Sequence, residues 1–79
     1  MAAMRLRYTV AIVPEADGKG YYAVVPSLPG CFSQGETVEA AERNVAEAIT
    51  LHVRGLRRSR RPVPQEVRSV YQTVVSVVA

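Results

Sequence analysis

The sequence predicts an α+β fold with the chain order β-β-β-α-β, in which a mixed four-stranded sheet of strand order 3-2-1-4 carries one helix on one face. Three observations predict it: apolar alternation near the N-terminus, three- and four-residue apolar spacing in the middle, and a valine-rich run near the C-terminus. The chain has 79 residues, of which 48% are apolar, so we expect a single domain over residues 1–79. A domain this short has a thin core, which favours self-association into a dimer or tetramer.

Residues 5–34 predict three antiparallel strands joined by tight turns. Apolar residues alternate with others from Arg5 to Pro14, which predicts strand one. The Asp17-Gly18 pair then precedes the β-prone run Tyr21–Val25, as in a hairpin. The proline-rich segment Pro26–Cys31 cannot continue a central strand, so we expect a turn there before a short third strand at Cys31–Gln34.

The middle of the chain predicts one amphipathic helix that begins after Thr37 and ends near Arg58. Thr37 is a suitable N-cap, and Pro62 and Pro64 prevent the helix from continuing. Apolar positions recur at helical spacing along one stripe, which comprises Val38, Ala41, Val45, Ala48 or Ile49, His52 and Leu56.

The segment Val67–Val78 predicts a fourth strand, because valine recurs there together with Tyr71 and Thr73. A helix separates this segment from strand three, so a right-handed crossover would bring it parallel to strand one. A single helix covers one face of such a sheet. The other face and the outer edge of strand four would therefore need a partner, either a second copy or another protein.

The composition excludes several kinds of site. One cysteine, Cys31, and one histidine, His52, cannot form a disulfide framework or a His/Cys zinc site. We expect both residues to pack structurally rather than to form a nucleophilic pair. The sequence thus predicts no catalytic residue, no metal, no cofactor and no enzymatic activity. The acids expected to be solvated, on a turn or on the helix surface, are Glu15, Asp17, Glu39, Glu42 and Glu47.

Five features, in order along the chain, resemble the HicB-like antitoxin family of toxin-antitoxin systems, over roughly residues 5–78. The family's positions are a paired aromatic strand, a Leu-Pro-Gly-Cys turn, a Ser-x-Gly-x-Thr lead into the helix, a Glu-Ala-Ile helix centre and a later Pro-x-Pro. In this sequence they are Tyr21-Tyr22, Leu28-Pro29-Gly30-Cys31, Ser33 to Thr37, Glu47-Ala48-Ile49, and Pro62 to Pro64.

The resemblance implies a truncated ribonuclease-H-like fold that binds a small HicA-type ribonuclease toxin and neutralises it sterically. A cytoplasmic location is expected, because no stretch has the length of a signal peptide or a membrane span. Longer family members add a C-terminal DNA-binding segment, which this sequence is expected to lack. The signature positions become candidate partner-binding residues, namely Pro29, Gly30, Cys31, Ser33, Gln34 and Gly35.

Charge is distributed unevenly along the chain. Residues 1–53 carry four basic and six acidic side chains, whereas residues 54–79 carry six arginines and one glutamate. The arginine-rich run either contacts nucleic-acid phosphates or an acidic partner, or it only caps the helix and aids solubility. A small nucleic-acid-binding module is therefore the alternative function. The run comprises Arg54, Arg57, Arg58, Arg60 and Arg61.

Overall fold

The computed structural model describes residues 5–66 and 70–79 of the chain. Over these ranges the protein is α+β, with a three-stranded antiparallel sheet and one helix. The strands are β1 (Ala11–Pro14), β2 (Tyr21–Val24) and β3 (Phe32–Gly35), and the helix is α1 (Val38–Arg58).

The strand order β1-β2-β3 confirms the order predicted for the first three strands. Val24 of β2 pairs with Ala11 on one side and with Phe32 on the other, both in antiparallel ladders. Strand one is shorter than predicted, because residues 5–10 belong to no strand in the described parts of the chain. A strand needs a neighbour for its backbone groups. Ala11 pairs with Val24, and the chain enters the Pro26–Cys31 turn just beyond, so β2 offers residues 5–10 no partner.

The predicted hairpin between β1 and β2 is confirmed. The backbone N–H of Glu15 donates to the carbonyl oxygen of Gly20 at 2.8 Å and closes the turn. Gly18 has a φ of 73°, a left-handed conformation that glycine adopts without strain. The Asp17-Gly18 signal in the sequence therefore indicated the turn correctly.

The core lies between the sheet and one face of α1. Leu28, in the turn between β2 and β3, is 0% exposed and closes one end of this core. Its backbone N–H donates to the Val25 carbonyl at 3.0 Å, and its own carbonyl accepts from the Cys31 N–H at 2.9 Å. The predicted turn at Pro26–Cys31 thus also contributes to the core. The buried apolar residues among those described are Ala23, Val25, Leu28, Cys31, Ala41, Val45 and Val53.

The helix confirms the predicted N-cap and C-terminal end. The Thr37 hydroxyl accepts a hydrogen bond of 3.0 Å from the Ala40 N–H, which satisfies one free donor of the first turn. The apolar stripe differs near the C-terminal end, where Val53 is buried and His52 is half-buried. α1 packs mainly on β3 and β2 and little on β1. It is the only helix in the described ranges, and it is not apolar enough over a sufficient length to cross a membrane.

After the helix, the chain returns to the start of β1 and is fastened there by side chains. The Tyr8 hydroxyl donates to the Pro64 carbonyl at 2.6 Å. The Glu66 carboxylate accepts from the backbone N–H and hydroxyl of Thr9, and from the Ser27 hydroxyl at 2.7 Å. Residues 64–66 therefore lie beside the N-terminal end of β1.

The predicted fourth strand, and with it the order 3-2-1-4, was wrong over residues 70–79, which form no strand; residues 67–69 lie outside the described residues. Adjacent valines such as Val74 and Val75 would point to opposite faces of a strand, so this segment, as a strand, would need apolar cover on both faces. The sheet has a helix on one face only, which does not provide that cover. The three-stranded sheet also gives no support to the ribonuclease-H-like arrangement that the family resemblance implies.

Candidate functional site

The first predicted partner-binding positions lie in the turn between β2 and β3. Pro29 and Gly30 are exposed at its tip, whereas Cys31 turns inward and is buried. Gly30 has a φ of 85°, and a Cβ atom there would meet no neighbour. Glycine is therefore favoured at this position because of its backbone conformation and not because space is short. Of the predicted positions in this turn, Pro29 and Gly30 therefore present a surface that a partner could contact.

The other predicted positions lie along β3, at one edge of the sheet. Ser33 and Gly35 are half-buried, and the Gln34 side chain is exposed. The Asn44 side chain of α1 donates to the Gln34 carbonyl at 2.7 Å, which ties the helix to this strand. A Cβ atom on Gly35 would lie 2.7 Å from the carbonyl carbon of Ala40, so this glycine permits close packing of helix and strand.

An acidic cleft of about 410 Å³ lies where the β1–β2 hairpin, the end of β3 and the start of α1 meet. Glu15 and Asp17 come from the hairpin turn, and Glu36 precedes the helix; Lys19 of the same turn also lines the cleft, so three acids face one base. Gln34 and Gly35 also line it, so the cleft includes two of the predicted partner-binding positions. Glu15 and Asp17 were expected to be solvated turn residues, and no role was predicted for Glu36. The missed signal is that all three lie at element ends, which the antiparallel topology brings together.

A basic cleft, also of about 410 Å³, lies at the opposite end of the sheet. Arg5 and Arg7 of the N-terminal segment line it together with Arg57 of the last helical turn, and Glu66 is the one acid among its lining residues. Of the predicted arginines, only Arg57 lines this cleft; Arg54, Arg58, Arg60 and Arg61 are exposed around the helix end. Arg5 and Arg7 were expected only as the first residues of strand one, and their distance in sequence from the arginine-rich run gave no sign that they would lie beside Arg57. The molecule thus has an acidic end and a basic end.

The two residues considered for nucleophilic chemistry occupy different elements. Cys31 lies in the turn after β2, and His52 lies near the C-terminal end of α1. Burial raises the pKa of the Cys31 thiol, which lowers the fraction of reactive thiolate at neutral pH. Within residues 5–66 and 70–79, no three His, Cys, Asp or Glu side chains are grouped so that they could hold a metal ion.

Comparisons with known proteins point to one family. The family model described as HicB_like antitoxin of bacterial toxin-antitoxin system matches residues 8–76, a range that includes every strand and the helix. A UPF0150 protein of Synechocystis sp. is 49% identical over 59 residues, which cover 75% of this chain and 73% of that protein. A UPF0150 protein of Thermoplasma acidophilum is 42% identical over 62 residues, which cover 77% of this chain and 87% of that protein.

Proposed function

Because the chain belongs to the HicB-like antitoxin family, we propose that it binds a small HicA-type ribonuclease toxin and neutralises it by steric occlusion. The observation that carries this proposal is the family match over residues 8–76, which spans the sheet, the helix and every residue that lines the acidic cleft. The binding would take place in the cytoplasm, where a ribonuclease meets its RNA.

The acidic cleft supports a specific mode of occlusion. A ribonuclease must present cationic groups to RNA phosphates, so a protein that covers its RNA-binding surface has to face those cations. Glu15, Asp17 and Glu36 supply three carboxylates at one end of the molecule. Gln34 beside them offers an exposed amide for a directed hydrogen bond. We infer that the toxin contacts this end first.

The remaining predicted contacts extend from the cleft along β3 to the turn at Pro29 and Gly30. Four strand residues span about 13 Å, so a small protein that covers the cleft could also reach this turn. Ser33 is half-buried and would lie at the margin of such a contact. Cys31 and Gly35 would not touch the toxin but would hold the turn and β3 in place against the core and α1. In this proposal, Gln34 and the turn tip at Pro29 and Gly30 make the direct contacts, and the less exposed members of the predicted set support them.

Co-expression with the product of the neighbouring small open reading frame tests this function. We expect rescue of growth and a complex that co-purifies. The variant Glu15→Gln, Asp17→Asn, Glu36→Gln should weaken the complex by roughly tenfold or more, with a reduced dependence on salt. A matched control, Glu39→Gln, Glu42→Gln, Glu47→Gln, removes the same charge from the exposed helix surface and should bind nearly as well as the wild type. Absence of both complex and rescue would contradict the proposal.

The proposed mechanism requires no catalysis by this chain. The raised pKa of Cys31 disfavours a thiolate nucleophile, and the acids of the cleft are proposed to act as charge complements rather than as metal ligands. A ribonuclease assay of the purified protein, with and without divalent metal, should show no turnover. Turnover that is lost in the acid-to-amide variant would contradict a purely steric role.

The basic cleft favours nucleic-acid binding as the second candidate function. Arg5, Arg7 and Arg57 converge there, which provides more than the helix-end arginines that the sequence alone suggested. Phosphate contacts of this kind weaken steeply as salt increases. Titration with labelled RNA at low salt should show binding that the variant Arg5→Gln, Arg7→Gln, Arg57→Gln loses. If the wild type does not bind even at low salt, this candidate is removed.

We further propose that the chain associates with itself. Exposed apolar side chains are concentrated in residues 70–79, which follow the contacts made by Glu66. Contiguous apolar exposure of this kind is typical of interaction surfaces. These side chains belong to Val70, Tyr71, Val74, Val75, Val77 and Val78. Light scattering at micromolar concentration should show a mass above that of one chain.

A further inference from the structure

Residues 70–79, called here the valine segment, have the composition of a strand but lie away from the body of the molecule. Every one of these residues is exposed, with Val74 at 95% and Tyr71 at 89%. The Cα radius of gyration is 14.8 Å, against about 12 Å expected for a compact chain of this length, and the long axis measures 52 Å. The segment therefore extends outward rather than folding back.

The valine segment carries no charge, proline or glycine that would protect it from pairing. Its ten residues include five valines as well as Tyr71 and Thr73, all of which favour strands. An unpaired segment of this composition leaves both its backbone groups and its apolar side chains in water. Pairing with a sheet edge satisfies both at once.

β1 offers such an edge. It is the terminal strand of the sheet, and Val10 and Ile12 pack against the core while remaining only half-buried. Because α1 lies mainly over β3 and β2, a groove of about 460 Å³ opens beside the N-terminal part of this edge. Its lining includes Leu6, Val10, Val45 and Ile49, so it can accept apolar side chains from an added strand.

The opposite edge is protected. The Gln34 carbonyl of β3 already accepts a hydrogen bond from Asn44, and Gly35 is pressed against the start of α1. Between Tyr8 and Pro14, by contrast, the β1 side of the sheet has no lysine, no other charge and no covering helix among the described residues. Natural sheets protect exposed edges with charges, prolines, bulges or covering elements. On the β1 side such protection lies at the two ends, with the Glu66 carboxylate at the Thr9 N–H and Pro14 at the last strand position, so the stretch between them is open to another strand.

A second copy of this chain fits this edge best. Each chain carries both a β-prone segment without a partner strand and an edge that is open between Thr9 and Pro14, so a two-fold dimer satisfies two segments and two edges together. A different protein paired with the valine segment would leave β1 open. Ten extended residues expose roughly 1,500 Å² of surface, and burying half of this on each of two segments reaches the size of a stable interface, about 1,200–2,000 Å².

We propose that the valine segment of one copy adds as a strand to the outer edge of β1 in a second copy and places side chains in the groove beside α1. This inference rests on the self-association proposed above and specifies its mode. Glu66 and Pro64 hold the base of each segment beside β1 of its own chain, so the two exchanged segments would cross close to the two-fold axis.

Proline substitutions test the strand pairing in the full-length chain. Val74→Pro with Val77→Pro removes backbone donors on both sides of the segment, whereas Val74→Ile with Val77→Ile keeps the donors and the β-branched shape. By sedimentation, the wild type and the isoleucine variant should have twice the mass of one chain. The proline variant should have the mass of one chain, or a dissociation constant raised roughly tenfold or more. A proline variant as dimeric as the wild type overturns the proposed mode.

A cross-linking measurement does not depend on how the proline variant folds. The photoreactive amino acid p-benzoylphenylalanine replaces Tyr71, and ¹⁵N-labelled and unlabelled chains are mixed before illumination. The proposal expects isotopically mixed cross-links to peptides within residues 5–14. Cross-links confined to one chain, to β3, or to the same segment of the other copy overturn it.

The outcomes separate this inference from the proposals on which it builds. A monomeric wild type overturns both self-association and strand exchange, and a dimer with cross-links elsewhere overturns strand exchange alone. Cross-linking that appears only after the toxin is added would assign the valine segment to the toxin and would also overturn strand exchange. Toxin neutralisation is measured separately, by the growth assay.

Discussion

Ser27 and Glu66 lie 39 residues apart in the sequence, and the Ser27 hydroxyl donates a hydrogen bond of 2.7 Å to the Glu66 carboxylate. The same carboxylate accepts from the backbone N–H and the hydroxyl of Thr9. One side chain therefore connects the segment after the helix, the N-terminal side of β1 and the turn between β2 and β3. Ser27 is buried, so this contact matters for stability.

The variant Glu66→Ala should lower the free energy of unfolding by about 2 kcal/mol, because the Ser27 and Thr9 donors lose a charged acceptor. The matched control is Gln65→Ala, since Gln65 is adjacent and exposed and should change stability by less than about 0.5 kcal/mol. Urea unfolding followed by circular dichroism measures both. Equal effects of the two substitutions would mean that the carboxylate contacts contribute nothing specific.

The variant Gly35→Ala should destabilise the fold by about 3 kcal/mol, because the new methyl group would overlap the backbone of α1 at Ala40 and Ala41. Gly55→Ala is the control. A methyl group there meets nothing within 4 Å, and alanine favours a helix interior, so stability should rise by about 0.5–1 kcal/mol. Thermal unfolding would show the opposite signs. A Gly35→Ala protein as stable as the wild type would contradict the tight packing of α1 on β3.

The variant Leu28→Ala should lower the unfolding free energy by about 2–5 kcal/mol, because this side chain is 0% exposed and its removal leaves a cavity. Leu51→Ala makes the same chemical change at a side chain that is 60% exposed, and it should cost less than about 1 kcal/mol. Denaturant titration distinguishes the two. A small effect at Leu28 would mean that the turn does not close the core.

Ionisation of the Cys31 thiol should lower the free energy of unfolding at alkaline pH. Burial raises its pKa above the ordinary value of 9.0, so the unfolded chain loses this proton at a lower pH than the folded one. This contribution to stability is complete below pH 9.0 and is lost as the pH rises towards the folded pKa. The wild type should therefore lose more stability than Cys31→Ala between neutral and alkaline pH. Parallel pH profiles of the two proteins would contradict this.

Local signals predicted most of the fold. The Asp17-Gly18 turn, the N-cap at Thr37 and the end of the helix near Arg58 each depend on interactions within a few residues. Such interactions leave a pattern in the sequence that is independent of the remaining chain. The family resemblance was confirmed over a range close to the one expected.

Features that depend on distant contacts were not predicted. Glu66 appeared in the sequence only as one acid among arginines, and its role depends on Thr9 and Ser27, which the fold brings to it. Residues 70–79 are rich in valine and therefore have a high strand propensity. A strand also requires a neighbour and cover for its faces, and propensity does not supply either.

The close approach of Gly35 to the start of α1 has a consequence for the order in which the chain assembles. β2, β3 and α1 follow one another directly, so their mutual contacts close short loops, and they can form early at low entropic cost. The contacts of Glu66 and Pro64 close loops of more than fifty residues to Tyr8 and Thr9. We expect these contacts to form last and to open first, so that amide exchange in β1 would outpace exchange in the middle of α1.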